Sequence, residues 1–246
     1  MAAPRPSALP FTAMPRYSIT NVTVDEDDPT PSSLSRIGGP VVGLATERWP
    51  RHRGRCMQHA LTIDLEGLDL PVPRAEGMRA IAVFVESYYE QDLDGSDGIT
   101  VVWLSQADVD AHPETTPPPD FVAEALTEGM RDQILLIDPI DADDEPSVGD
   151  CYLGGEPTWS DAGAPARRPP GAFVLQVNSW TVPFTRPSAQ LLVFEDGGYI
   201  QRERPDDDGP VPWPQAIARS RRIVVRDEPP ATGALQKWGG LPRGLP

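Results

Sequence analysis

The sequence predicts an α+β fold that is mainly β, built from two β-rich repeats related by internal duplication in one domain, with few short helices. Three observations carry that expectation. Thirty prolines and 21 glycines in 246 residues discourage long helices and supply turns, because proline removes a backbone donor and clashes with the preceding helical turn. Apolar residues gather in short β-branched runs bounded by Gly, Pro, Asn and Asp, the pattern of strands between turns. A Gly-Gly element also occurs twice with the same features after it, as RIGGP from Arg36 and YLGGEP from Tyr152.

Residues 1–33 read as an N-terminal segment with one strand, YSITNVTV at 17–24, which alternates and is β-branched, followed by an acidic turn at 25–28. Residues 34–150 read as the first β-rich repeat and its connection. Its strands are MQHALTIDL (57–65), MRAIAVFVES (78–87) and GITVVWLSQ (98–106), and Pro71 and Pro73 mark the linker between the first two. HPETTPPPD (112–120) must be a loop. FVAEALTEGM (121–130) has helical composition with Asp120 as its N-cap, and QILLIDPI (133–140) returns to strand. The second repeat spans 151–236, with strands AFVLQVNS (172–179) and AQLLVFEDG (189–197) around Pro183 and Pro187, and a last strand RRIVVRDE (221–228). The tail, 237–246, carries a further Gly-Gly-x-Pro.

The order of features argues for duplication more strongly than the glycines do. Composition alone predicts about two Gly-Gly pairs, and the chain has four. Gly154 follows Gly38 by 116 residues, Val177 follows Ile63 by 114, and Val193 follows Val83 by 110. The offset shrinks inside expected loops, where changes of length are tolerated.

RIGGP, the Trp49–Pro50 pair, LTIDLEGLDLP and GMRAIAVFV resemble the N-terminal half of the YwqG-like bacterial proteins of unknown function, whose motifs run Gly-Gly-x-Pro, Trp-Pro, Gln-Ile-Asp and Gly-x-Leu-x-Phe-Phe. YLGGEP and FVLQVNS stand where that family has its second Gly-Gly and Leu-Leu-Leu-Gln-Ile-Asp elements. The resemblance covers about residues 34–106 and 151–197. Thr62 departs from the family's usual Gln, which the second half keeps as Gln176, and the family's late Trp-Gly-Asp and Trp-Asp-Cys elements are not recognisable. The resemblance implies a two-repeat fold and an association with toxin–immunity settings.

The formal net charge is −16, with 37 acidic against 21 basic residues. Such a field disfavours nucleic acid and anionic membranes and favours basic protein partners. The basic cluster at 219–222 is too isolated to line a nucleic-acid groove. No run has the length of a transmembrane helix, and prolines interrupt the N-terminus where a signal peptide needs an apolar core. A cytoplasmic protein with free thiols at Cys56 and Cys151 is expected.

Candidate chemistry is sparse. Asp64 and Asn178 end equivalent strands and Gln176 lies within one, so the three form a candidate polar set between the repeats. Closure of the next turn is the competing role for the strand ends, and a buried Gln176 must find partners. His52, Cys56 and His59, with Cys151 as a fourth, lack the paired spacing of zinc sites. The segment 92–98 lacks the glycine and terminal glutamate of a calcium loop. Nucleophile-elbow, phosphate-loop, dinucleotide and zinc-protease motifs are absent from the sequence, and no cofactor or metal is expected. What remains is acidity, at 25–28, 141–145 and 206–208. The expected function is a non-enzymatic immunity-type protein that sequesters a basic toxic partner through Asp141, Asp143, Asp144 and Glu145. The alternative is an enzyme, or a small-molecule or peptide-binding module, with its site between the repeats.

Overall fold

The computed structural model describes residues 14–23, 34–87, 97–113, 115, 117–122, 133–141, 144, 147, 150–159, 170–178 and 189–202. The strands are β1 (Arg16–Thr23), β2 (Arg36–Ile37), β3 (Arg51–His52), β4 (Arg55–Cys56), β5 (Gln58–Asp64), β6 (Met78–Val85), β7 (Ile99–Ser105), β8 (Gln133–Pro139), β9 (Tyr152–Gly154), β10 (Phe173–Asn178), β11 (Ala189–Phe194) and β12 (Gly197–Arg202). Helix α1 (Gln106–Ala111) follows β7. The fold is therefore mainly β with few helices.

Ten strands form one sheet in the order β12-β11-β10-β9-β1-β8-β2-β5-β6-β7, and β3 and β4 form a separate hairpin. The order reads alike from either end: β2, β5, β6 and β7 flank the central pair on one side, and β9, β10, β11 and β12 on the other. β1 pairs antiparallel with β8, Thr20 opposite Leu136. β1 also pairs with β9, and β8 with β2. Each central strand thus joins the set of strands that follows the other in the chain. Short β2 and β9 end at Gly-Gly pairs whose φ angles are all positive, 56° and 68° at Gly38 and Gly39, 74° and 71° at Gly154 and Gly155. A side chain at Gly154 would stand 2.5 Å from the Pro15 carbonyl oxygen, so glycine lets β1 approach β9.

Side-chain alternation divides the core into three. The inner face carries Ile19, Ile37, Leu61, Ile63, Ile81, Val83, Leu135, Leu153, Val177, Leu191, Val193 and Ile200 in one apolar cluster fed by strands from both sides. Ile63 and Val177 are both fully buried. Register shifts sit between His59 and Leu61 on β5 and between Phe173 and Leu175 on β10. Each bulge turns two successive residues inward, Ala60 with Leu61 and Val174 with Leu175. The outer face has two smaller cores. Val41, Leu44, Trp49, Met57, Phe84 and Leu104 form one; Tyr152, Phe173, Leu192, Phe194 and Tyr199 form the other, with Trp159 against it. In each a tryptophan covers a phenylalanine, Trp49 over Phe84 at 5.3 Å between ring centres and Trp159 over Phe194 at 6.2 Å.

The sheet nearly closes where β7 meets β12. Trp103 donates its indole N–H to the Glu195 carbonyl at 2.9 Å. The Glu195 carboxylate accepts the N–H groups of Arg74 at 3.0 Å and Ala172 at 2.8 Å, which ties the loop before β6 to the turn before β10. At Gly198 a Cβ would come within 2.5 Å of Ile99 Cγ2, so the seam is as tight as a missing side chain allows.

The expected strands at 17–24, 57–65, 78–87, 98–106, 133–140, 172–179 and 189–197 lie within one to three residues of β1, β5, β6, β7, β8, β10 and β11. Of the expected helix at 121–130, Phe121 and Val122 are not helical, and 123–130 lie outside the described residues. The loop 117–122 instead serves the first outer core, where Phe121 packs edge-on to Trp49 at 5.4 Å. α1 was unexpected; Ser105 and Asp108 cap it reciprocally. β1, read as a lone strand of an N-terminal segment, is central to the sheet. The expected strand at 221–228 and the tail lie outside the described residues.

Replacing Gly198 with alanine is expected to lower stability by about 1–3 kcal/mol through overlap with Ile99. Adding Ile99→Ala should recover part of that loss in urea titrations, whereas independent sites would make the two losses add.

Candidate functional site

Asp64 closes its own turn. One carboxylate oxygen accepts the Glu66 N–H at 3.0 Å, the other accepts from Arg79 at 2.9 Å, and the Asp64 N–H donates to Ser35 Oγ at 2.9 Å. Asn178 donates its N–H to Cys151 Sγ at 3.3 Å. Strands β5 and β10 have β2, β8, β1 and β9 between them, so Asp64 does not share a site with Gln176 and Asn178. Gln176 is fully buried. Its carbonyl accepts the Thr158 N–H at 3.0 Å and the Tyr152 hydroxyl at 3.3 Å, and its amide donates to the Asp150 carbonyl at 3.1 Å. All three partners lie in 150–158, so Gln176 fastens that segment to β10 within the second set of strands. Neighbouring Gln201 donates to the Thr158 carbonyl at 2.8 Å and to Gln190.

The same region of the first set carries His59, wholly buried against Phe84. Its Nε2 lies 2.8 Å from Thr62 Oγ1 and its Nδ1 3.2 Å from the Gly39 carbonyl. Burial pushes its pKa down to about 4, so the ring is neutral in the fold. His52 stands apart on the hairpin, 3.5 Å from Glu86 and 3.6 Å from Asp97. Among the described residues no group of three or more His, Cys, Asp or Glu is placed to hold a metal ion; residues 92–96 lie outside them. Cys56 and Cys151 form no disulfide.

The arginines around that hairpin each meet a carboxylate: Arg48 with Asp108 at 2.8 Å, Arg53 with Asp97 at 2.7 Å, and Arg55 with Glu86 at 3.5 Å. Arg51 grips both oxygens of Asp120 at 2.7 Å and holds that carboxyl down to about 2. Cys56 donates its thiol proton to Asp120 at 3.5 Å, and burial pushes the thiol up, away from reactive thiolate. Sequence reasoning missed this ionic clasp, although RHRGRC from Arg51 displays its cations.

Of the expected partner-binding residues, Asp141 and Asp144 are described and both are exposed; Asp143 and Glu145 lie outside the described residues, as do 25–28 and 206–208. Their loop leaves β8, whose own Asp138 is exposed. Its backbone is braced at several points. Arg16 accepts the Ile140 N–H on its carbonyl at 2.9 Å and donates its guanidinium to the Asp144 carbonyl. The Asp144 N–H donates to the Asp141 carbonyl at 3.1 Å. Asp150 accepts from both the N–H and the hydroxyl of Ser147, at 2.6 and 2.9 Å. At the described positions of this loop the backbone is thus hydrogen-bonded, and Asp141 and Asp144 are exposed.

Compared with protein-family models, curated proteins and solved structures, the chain matches none. No helix among the described residues is long and apolar enough to cross a membrane.

His59 sets a pH dependence whose sign follows from its burial. Its folded pKa lies below the unfolded 6.5, so the unfolded chain takes up a proton that the fold refuses. Stability should fall as pH drops from about 6.5 to about 4, by on the order of 3 kcal/mol. Asp108 and Asp120 have lowered folded pKa values, and their loss comes at lower pH. His59→Phe should flatten the upper window in denaturant titrations and leave the lower one.

Proposed function

We propose that the chain is a non-enzymatic, cytoplasmic binding protein of the immunity type, which sequesters a basic toxic protein through the acidic loop of Asp141, Asp143, Asp144 and Glu145. The observation that carries this reading is the exposure of Asp141 and Asp144 on a backbone braced by Arg16. Asp141 and Asp144, whose backbone is hydrogen-bonded, lose less freedom on docking than a free chain would, and exposed carboxylates in a chain of net charge −16 steer a basic partner. The resemblance to YwqG-like proteins adds the immunity setting. Nucleic acid and membrane are not the proposed partners.

We also infer that the chain arose by internal duplication, with the first strand of each repeat paired into the other. Several equivalences support it. Ile19 donates to the Cys151 carbonyl and Leu135 to the Ser35 carbonyl, each at 2.9 Å; moving each residue by 116 positions, forward or back, turns one bond into the other. Asp64 binds Ser35 as Asn178 binds Cys151. The bulges at His59–Leu61 and Phe173–Leu175 differ by 114 residues, and the tryptophan–phenylalanine pairs by 110. These are the three offsets seen in the sequence.

Neutralising Asp141, Asp143, Asp144 and Glu145 together should slow association with the physiological partner about tenfold and weaken its salt dependence, since steering acts over a Debye length of about 8 Å. Dissociation and thermal stability should change little. Stopped-flow association against ionic strength checks this. Unchanged kinetics would move the interface elsewhere, and an established catalytic or small-molecule role with no protein partner would end the immunity reading.

A further inference from the structure

Among the described residues, the outward face of β1 and β8 has neither of the covers that shelter the outer cores. Ile19 and Leu135 point inward, so Ser18 and Thr20 on β1, and Ile134, Leu136 and Asp138 on β8, point outward by alternation. Thr20 is exposed, and so is Leu136, at 45% of its surface, one of three large apolar side chains that are so exposed among the described residues. Ser18 faces Asp138 and Thr20 faces Leu136 across the strands. By the 116-residue shift that relates the two central strands, Ser18 corresponds to Ile134 and Thr20 to Leu136. At these two corresponding outward positions β1 carries Ser and Thr where β8 carries Ile and Leu. The fold therefore does not require Ile and Leu there, and an exposed leucine costs solubility.

We infer that this strip is the centre of the docking surface, and that its occupant is a basic protein element presenting an apolar side chain between lysines or arginines. The inference rests on the binding reading above and names the chemistry of its partner. Charge decides the occupant. Asp138 lies on the strip itself, and the chain runs from it into Asp141 and Asp144, all three exposed, with Arg16 beside them spending its guanidinium on the Asp144 carbonyl. A second copy of the chain would bring these carboxylates against themselves at a net charge of −16 each. The strip also lies between paired strands, with no free edge, so an added strand cannot join it and recognition falls to side chains. Leu136 supplies the apolar contact at the middle, and the acidic end sets the direction in which the partner lies.

The test uses the full chain and two synthetic peptides of equal positive charge, one an amphipathic leucine–lysine helix and the other with every leucine replaced by serine. Titration calorimetry should show the leucine peptide bound about tenfold more tightly, the scale of burying one leucine contact. Leu136→Thr, which copies the residue at Thr20, should bring the two peptides within about twofold of each other with an unchanged thermal melt. Asp138→Asn with Asp141→Asn should weaken both peptides alike. Discrimination that survives Leu136→Thr overturns the inference. So does equal binding of an uncharged leucine–glutamine peptide, or a dimer of the chain in sedimentation that Leu136→Thr dissolves. Loss of the immunity reading alone, through a physiological partner that is basic but not toxic, would leave the peptide result standing.

Discussion

The structure depends on the pairing of β1 with β9 and of β8 with β2. Without it the two flanking sets of strands would be separate four-stranded sheets with bare edges, and an open edge with unpaired N–H and C=O groups invites aggregation. With it the ten strands are continuous, and both sets contribute to one inner core. Neither set can bury its inner face alone, because Ile19 and Leu135 come from strands delivered by the opposite set. The second Gly-Gly pair follows from the same constraint, since β1 passes so close to Gly154 that no side chain fits.

Closure at the seam is of a different kind. β7 and β12 are the ends of the sheet order; across that seam the Trp103 indole bonds to the turn before β12 and Gly198 lies close against Ile99, while the Glu195 carboxylate beside them collects two backbone N–H groups from neighbouring loops. The apolar interior is filled by branched side chains from every long strand, so chemistry is displaced to the outside. There the two outer cores are sheltered by loop segments, one fastened by Gln176 and Gln201, the other rimmed by arginine–carboxylate pairs. Between these shelters the central strands meet water, and the acidic loop leaves from one of them.

Most of the long strands were legible because their β-branched and apolar residues are bounded by turn residues; β12, GGYIQR, was not, since its two glycines and two apolar residues make no run. β5 and β10 also showed their correspondence, since LTIDL and LQVNS share length and pattern. The central strands did not. YSITNVTV and QILLIDPI have the corresponding backbone bonds but share little chemistry, since Ser18 and Thr20 on one stand where the other has Ile134 and Leu136. β2 and β9, at two and three residues, are too short to carry a period. Of the helix expected after Asp120, the described residues Phe121 and Val122 are not helical, because Phe121 packs on Trp49 in the outer core; the rest of that segment lies outside the described residues. Gln176 was legible as a buried residue in need of partners, but its partners lie in a segment whose path no pattern announces. The ionic clasp of Arg51 on Asp120 joins residues far apart in sequence and leaves no spacing to read.

Native-state hydrogen exchange measured residue by residue tests the central claim most directly. If the exchanged pairing makes the sheet one cooperative unit, the amides of Ile19 and Leu135, which bond across the two sets, should open only with global unfolding. The amides of Val83 on β6 and Val193 on β11 should then exchange with the same free energy and the same denaturant dependence. Opening of one set of strands at a clearly lower free energy, while the other stays protected, would contradict the account.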